Sequence, residues 1–302
     1  MSFRAIEDYG IIGNCHTAAL VSSHGSIDWL CLPRFDSPSI FARILDTDGG
    51  EWSIQPATSF TSTHKYINQT NVLETTFNSE SGKISLVDFM DITSDEPQQR
   101  QASPGRTIRI VKAIEGKVEI VSNFTPRPDY GRSTPEFVSS GTEVSFGNFT
   151  VTPPAEWQID TGTLTCRVTL EAGQQVAFTL MTHEDAVPQP APDRALASTI
   201  NYWQHWANQC TYEGLYRDTV IRSALALQLM TYAPTGAIVA APTTSLPEEI
   251  GGERNWDYRF TWIRDSSFTL YALLLAGYLD DEQPYFDWIA RTVKMEGKAT
   301  VS

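Results

Sequence analysis

Long hydrophobic runs are missing from this sequence of 302 residues, and no apolar stretch approaches the roughly 18 residues that a membrane-spanning helix needs. Cysteine is scarce. Cys15, Cys31, Cys166 and Cys210 are scattered without CxxC spacing and read as reduced core thiols. With no charged-then-apolar leader at the start of the chain, they point to the cytoplasm. Basic charge is thin as well. There are 22 Lys and Arg against 36 Asp and Glu, giving a formal net charge of −14, and no Lys/Arg cluster stands out. Nucleic acid and anionic membrane surfaces are therefore not expected as partners. The histidines, His16, His24, His64, His183 and His205, are spaced too widely for a metal site. Residues 46–50 open like a calcium loop but lack the later ligand positions, so they read as a turn. A Gly-rich phosphate loop and a nucleophile elbow are absent too, and no cofactor is expected.

What is present falls into two periodicities. Up to about residue 182 the chain runs in short alternating stretches with turn residues between them. Residues 71–77 and 83–89 flank a turn at 79–82. Residues 107–114 and 117–124 flank Glu115-Gly116, and residues 163–170 and 175–180 flank Gly173. Each pair reads as a hairpin, and the spacing predicts an antiparallel β-sandwich over residues 1–185. Three prolines within residues 186–193 then make a stiff connector, so residues 186–211 read as a linker and linker helix. Asp193 is expected to cap that helix, in which Leu196, Ile200, Trp203 and Trp206 recur at helical spacing. Further helices are predicted over 212–232, with Val220, Ile221, Ala224, Leu225 and Leu227 on the apolar face, and over 264–276. A last one is predicted over 281–294, burying Tyr285, Trp288 and Ile289.

The densest chemistry lies in Asn255-Trp-Asp-Tyr-Arg-Phe-Thr-Trp-Ile-Arg-Asp265. Surface loops rarely carry so many large rings, and core helices rarely carry so many charges. The combination suits a sugar: rings cover its C–H face, a guanidinium fork donates to hydroxyls, and a carboxylate accepts from them. The plainer alternative is a helix start where Arg264 and Asp265 merely pair and the rings, Trp262 included, pack inward. Upstream, residues 241–254 are rich in Pro and Gly and read as an ordered loop delivering the motif. Asp265 and Ser266 favour a helix start and Gly277 a stop, so the charged pair sits where a loop enters a helix. Trp256, Asp257 and Arg259 read as braces of that loop. Glu248, Glu249 and Glu253 precede it as solvated carboxylates, and none is assigned as a catalytic acid or base.

Residues 241–278 resemble the first conserved block of glycoside hydrolase family 15, which comprises glucoamylases, bacterial glucodextranases and trehalase-like enzymes. A second stretch runs from Ile6-Glu-Asp-Tyr-Gly-Ile-Ile-Gly-Asn-Cys-His through Gly25-Ser-Ile-Asp-Trp to Pro33-Arg-Phe-Asp-Ser-Pro. It resembles the start of the trehalase-like N-terminal domain of those enzymes. The resemblance implies that residues 212–302 begin an (α/α)6 barrel and stop early, so the sequence is expected to be an N-terminal fragment. It implies an inverting exo-glycosidase acting on terminal α-glucosidic bonds, whose two catalytic glutamates lie beyond residue 302. Arg264 and Asp265 match the pair that holds the hydroxyls of the terminal glucose, and Trp262 matches a ring lining that pocket. The substrate implied is an α-glucoside, with trehalose, maltooligosaccharides and isomaltose-type linkages all open. Residues 33–36 are expected at the interface with the barrel mouth, and an exposed barrel seam is expected to drive self-association. Two other classes compete: a non-catalytic carbohydrate-binding or interaction module, and a sugar phosphorylase of similar layout.

Overall fold

Short alternating strands must pair and stack before their apolar faces leave water, and that need shapes most of this chain. The computed structural model describes residues 3–92, 105–182, 189–244, 249, 251–278 and 282–296. A 3-10 turn at Ile6–Asp8 leads into β1 (Tyr9–Gly13), β2 (Ala18–Ser22), β3 (Ser26–Cys31), β4 (Ser39–Ala42) and β5 (Glu51–Pro56). Next come β6 (Phe60–Tyr66), β7 (Leu73–Ser79), β8 (Gly82–Met90), β9 (Thr107–Thr125) and β10 (Val138–Ser140). The last strands are β11 (Glu143–Phe146), β12 (Phe149–Thr152), β13 (Gln158–Asp160), β14 (Thr163–Glu171) and β15 (Gln175–Thr182). All described pairings between these strands are antiparallel, as the sandwich expectation required.

The hairpin at β7–β8 is where the sequence placed it. The other two are not hairpins. Residues 107–125 form one 19-residue strand, with Gly116 inside it at φ 75°. Its first half pairs with β8 and β15, and its second half pairs with β5 and β14. β14 and β15 do not pair with each other either. They lie end to end along β9, from Leu164 opposite Phe124 to Leu180 opposite Thr107, and both chains bend where Gly173 faces residues 113–116. The bend carries the pair from one sheet to the other. A glycine flanked by alternating residues signals a reversal or a kink equally well, and here the kink is what closes the sandwich.

Between the sheets lies a core that includes Ile27, Trp52, Ile54, Phe77, Leu86, Val111, Phe124, Phe178 and Leu180. Fully burying side chains of this kind is worth about 1.5–3 kcal/mol each. Inside it sits a buried ion pair. Arg109 donates to both oxygens of Asp88 (2.7 and 3.3 Å), to Gly25 O (2.8 Å) and to Trp52 O, tying one sheet to the other. Both side chains are fully buried, so the satisfied hydrogen bonds are what make the charges tolerable.

Four helices follow among the described residues: α1 (Pro192–Ala207), α2 (Arg217–Leu229), α3 (Ile263–Ala276) and α4 (Glu282–Glu296). Residues 186–188 of the expected connector lie outside the described residues. Pro192 opens α1, where a proline costs no hydrogen bond. Asp193 is not the cap as expected: Ala191 holds that position, and Asp193 in the first turn accepts from Gln175 Nε2 at 2.8 Å. The outer face of the second sheet, through Phe89, Ile108 and Ile110, packs against Trp203 and Trp206 of α1 and Ile221 and Leu225 of α2. Gly277 ends α3 in the left-handed conformation at φ 98°. Tyr278 beyond it stacks on Trp206 at 4.0 Å. The four cysteines are free and buried.

Candidate functional site

After α2 the chain turns at Tyr232 and runs back as an extended segment alongside the aromatic-rich motif. Ala240 N–H donates to Phe260 O (3.1 Å), Ala241 N–H donates to Tyr258 O (2.8 Å), and Thr244 bridges to Asp257. Trp29, buried on β3, donates through Nε1 to Pro242 O at 2.8 Å, which fastens this ribbon to the sandwich. The loop that was expected to deliver the motif is described only in part, and Glu248 lies outside the described residues.

Arg259 is the anchor of the ribbon. Only 4% of it is exposed, and its guanidinium binds Asp257 with Nε to Oδ1 at 3.0 Å and Nη2 to Oδ2 at 2.7 Å. It also donates to Ser37 O (2.8 Å), Phe35 O (3.4 Å) and the Tyr130 hydroxyl (2.7 Å). Burial alone would push the Asp257 carboxyl up, but the bonds from Arg259 outweigh it and hold the group below the usual carboxylate range. Burial would likewise lower Arg259, and Asp257 with Tyr130 drives it upward instead. Burial pushes the nearby Cys31 thiol up to about 12 despite that guanidinium, so it stays protonated and unreactive. Asp257 and Arg259 are braces, as the sequence indicated. Trp256 is different: half of it is exposed and it meets Trp262 edge to face at 6.1 Å.

Braced in this way, the chain reaches Trp262 in an extended conformation (φ −108°, ψ 123°) and starts α3. Ser266 N–H closes the first turn on Trp262 O at 2.9 Å. Trp262 is half-buried between Trp256 and Tyr258, the latter at 5.3 Å, and its indole N–H donates to Asp257 O at 3.3 Å. Arg264 lies 6.0 Å from the Trp262 ring centre and pairs with Asp265 at 3.0 Å. Its side chain is 66% exposed and that of Asp265 is 32% exposed. The three residues named from the sequence therefore sit together: an indole platform with a guanidinium over it and a carboxylate at its side. The pair is open to solvent and not packed inward. An acceptor and a donor fork held beside a flat apolar face can take vicinal hydroxyls of a ring.

None of these three lines the two concavities that touch the motif. One, of about 370 Å³, lies where Arg34, Phe35 and Asp36 of the sandwich meet Tyr232, Phe260 and Trp288. The other, of about 470 Å³, lies between the N-terminal segment and Thr243, Thr244 and Tyr258. Residues 33–37 thus do form an interface with the helical half, since Arg259 holds two of their carbonyls. Glu249 and Glu253 are exposed beside a shallow depression with Arg254, as solvated loop carboxylates should be. Among the described residues no group of three His, Cys, Asp or Glu could hold a metal, and no helix is long and apolar enough to cross a membrane.

Sequence reasoning missed Tyr130 and Tyr258. Tyr130 sits in a turn where it and Asp129 adopt left-handed φ angles of 58° and 55°. Its partner is 129 residues away, and no local pattern marks it. Tyr258 was within the motif, and its place beside Trp262 was the available signal.

The family description "Trehalase-like, N-terminal" matches residues 2–186, and "Glycosyl hydrolases family 15" matches residues 214–301. A trehalase of Mycolicibacterium smegmatis is 34% identical over 315 residues, covering 95% of this chain and 47% of that one. A trehalase of Thermoplasma volcanium is 37% identical over 291 residues, covering 90% and 45%. Trehalase 1 of Sulfolobus acidocaldarius is 31% identical over 311 residues, covering 97% and 50%. The chain spans about half the length of the curated relatives it matches.

Proposed function

The chain belongs to the trehalase-like branch of glycosyl hydrolases family 15, and from that premise we propose that it forms part of an inverting, exo-acting α-glucosidase, with trehalose as the foremost substrate. Residues 1–185 would serve as the sandwich, 186–211 as the connector, and 212–302 as the opening of the catalytic helical domain. The observation that carries the reading is the solvent-facing pair of Arg264 and Asp265 beside the Trp262 ring. In the proposed complex the guanidinium donates to hydroxyls of the terminal glucose, the carboxylate accepts from them, and the indole covers its C–H face. Capture of an end unit accounts for exo-action.

Inverting hydrolysis then needs one carboxylic acid to protonate the leaving oxygen. A carboxylate roughly 6.5–9.5 Å away activates water on the opposite face. We assign neither role within these residues and place both on glutamates of the part of a family 15 domain that follows them. The buried thiols and acidic balance fit a cytoplasmic enzyme. The exposed apolar face of α3 fits contact with further helices or with a second copy.

The experiment is glucose release from trehalose, maltotriose and isomaltose by a protein in which these residues are continued through the length of the relatives. Release from trehalose is the expected result. If no substrate is cleaved while this chain alone still binds sugar, the hydrolase reading gives way to a carbohydrate-binding module. Release only in the presence of inorganic phosphate, as glucose 1-phosphate, would make it a phosphorylase.

A further inference from the structure

We propose that residues 34–36 of the sandwich, with Tyr232, Phe260 and Trp288 of the helical half, form a second sugar subsite that takes one hexose unit of the same α-glucoside. The proposal rests on the sugar-binding reading for its choice of ligand and deepens it, since it gives the sandwich a part in substrate selection.

The loop that would read the sugar is held at several points. Phe35 N–H donates to His16 O at 3.0 Å, and Arg34 N–H donates to Ser37 Oγ at 3.1 Å. Ser37 N–H returns to Arg34 O at 3.1 Å, while Arg259 takes the carbonyls of Phe35 and Ser37 from below. Phe35 is consequently turned inward, 3% exposed, and meets Tyr232 edge to face at 6.5 Å. Its neighbours Arg34 and Asp36 are left on the open side, paired at 3.0 Å with 55% and 39% of their side chains exposed.

Directly beside them is the concavity of about 370 Å³, walled by Phe260, Trp288 and Tyr232. Its size is at the lower end of small-molecule sites, suited to one ring and not to a folded partner. Arg34, Asp36 and Tyr232 all line it, so three polar groups meet at one concavity. A donor fork, an acceptor and a phenol facing aromatic rings repeat the chemistry found at Trp262, Arg264 and Asp265. Phe260 and Thr261 of the wall lead straight into Trp262. The two sites therefore share one rigid segment, and a substrate of two or more units could engage both.

Saturation-transfer NMR on this chain with trehalose tests the subsite. Wild-type protein should transfer magnetisation to the sugar. Arg34→Ala and Asp36→Asn should each weaken the apparent affinity by about tenfold, and Arg264→Ala should leave the contact at residues 34–36 in place. Both substituted side chains are substantially exposed, so circular dichroism should show unchanged folding. Absence of transfer in the wild type, or unaltered affinity in both loop variants, would overturn the subsite. A continued chain that cleaves no α-glucoside while loop-dependent binding persists would end the hydrolase reading and leave this one standing.

Discussion

A guanidinium that is 4% exposed must have its donors answered, because an unpaired buried charge is costly to keep. Arg259 meets that demand by joining Asp257 of its own motif to Ser37, Phe35 and Tyr130 of the sandwich. Arg259→Ala should therefore destabilise the protein by about 3 kcal/mol, the low end for a broken buried pair because Asp257 is 31% exposed. The loss should depend on pH. The folded carboxyl of Asp257 is depressed, so the pair stabilises above the unfolded carboxylate pKa of about 3.9 and fades as pH falls through the folded value. Urea titrations at pH 7 and pH 3 should show the gap between variant and wild type narrowing in acid, and an equal gap at both would contradict the assignment. The bracing role of Asp257 and Arg259 was legible because the two lie in one short segment. Tyr130 and the carbonyls at 35 and 37 were not, since contacts spanning 129 to 224 residues leave no local trace.

Strands and helices were legible as types but not always as partners. The helices after the connector follow from apolar spacing, and α3 begins and ends within a residue of expectation because Gly277 supplies a left-handed stop. The paired strands β9 and β14–β15 were misread because a reversal and a sheet-changing kink use the same glycine within the same alternation. Gly116 and Gly173 can be told apart by substitution. A Cβ at Gly116 would lie 2.2 Å from Ser81 O, whereas one at Gly173 meets nothing within 4 Å. Both have positive φ, so each Ala variant loses about 1–2 kcal/mol to backbone strain, and Gly116→Ala should lose appreciably more from the clash. Chemical denaturation measures both, and equal losses would show that the bend tolerates a side chain.

At the scale of the molecule, sandwich and helices share one hydrophobic cluster, while one helical face remains uncovered. Phe268, Tyr271 and Leu275 of α3 are 59–68% exposed, and Phe286 of α4 is 51% exposed. Adjacent apolar side chains on this scale favour association. With a net charge of −14, like-charge repulsion opposes it at low ionic strength. Light scattering should show mass rising with protein concentration, more steeply in added salt, and Leu275→Lys should suppress the rise. A monomer at all salt concentrations would refute this. That Trp262, Arg264 and Asp265 lie together was legible from one motif because they are neighbours in sequence. The concavity at residues 34–36 was not, since its walls come from four separate segments.

The decisive measurement is kcat/KM for trehalose hydrolysis by the continued chain and its Arg264→Ala variant. Among the described residues the Arg264 side chain pairs only with Asp265 and lies over the Trp262 ring, so its loss should leave folding intact. A fall of about 100-fold is expected if it holds the terminal glucose through the transition state. A fall of less than about threefold would reduce Arg264 and Asp265 to a surface ion pair.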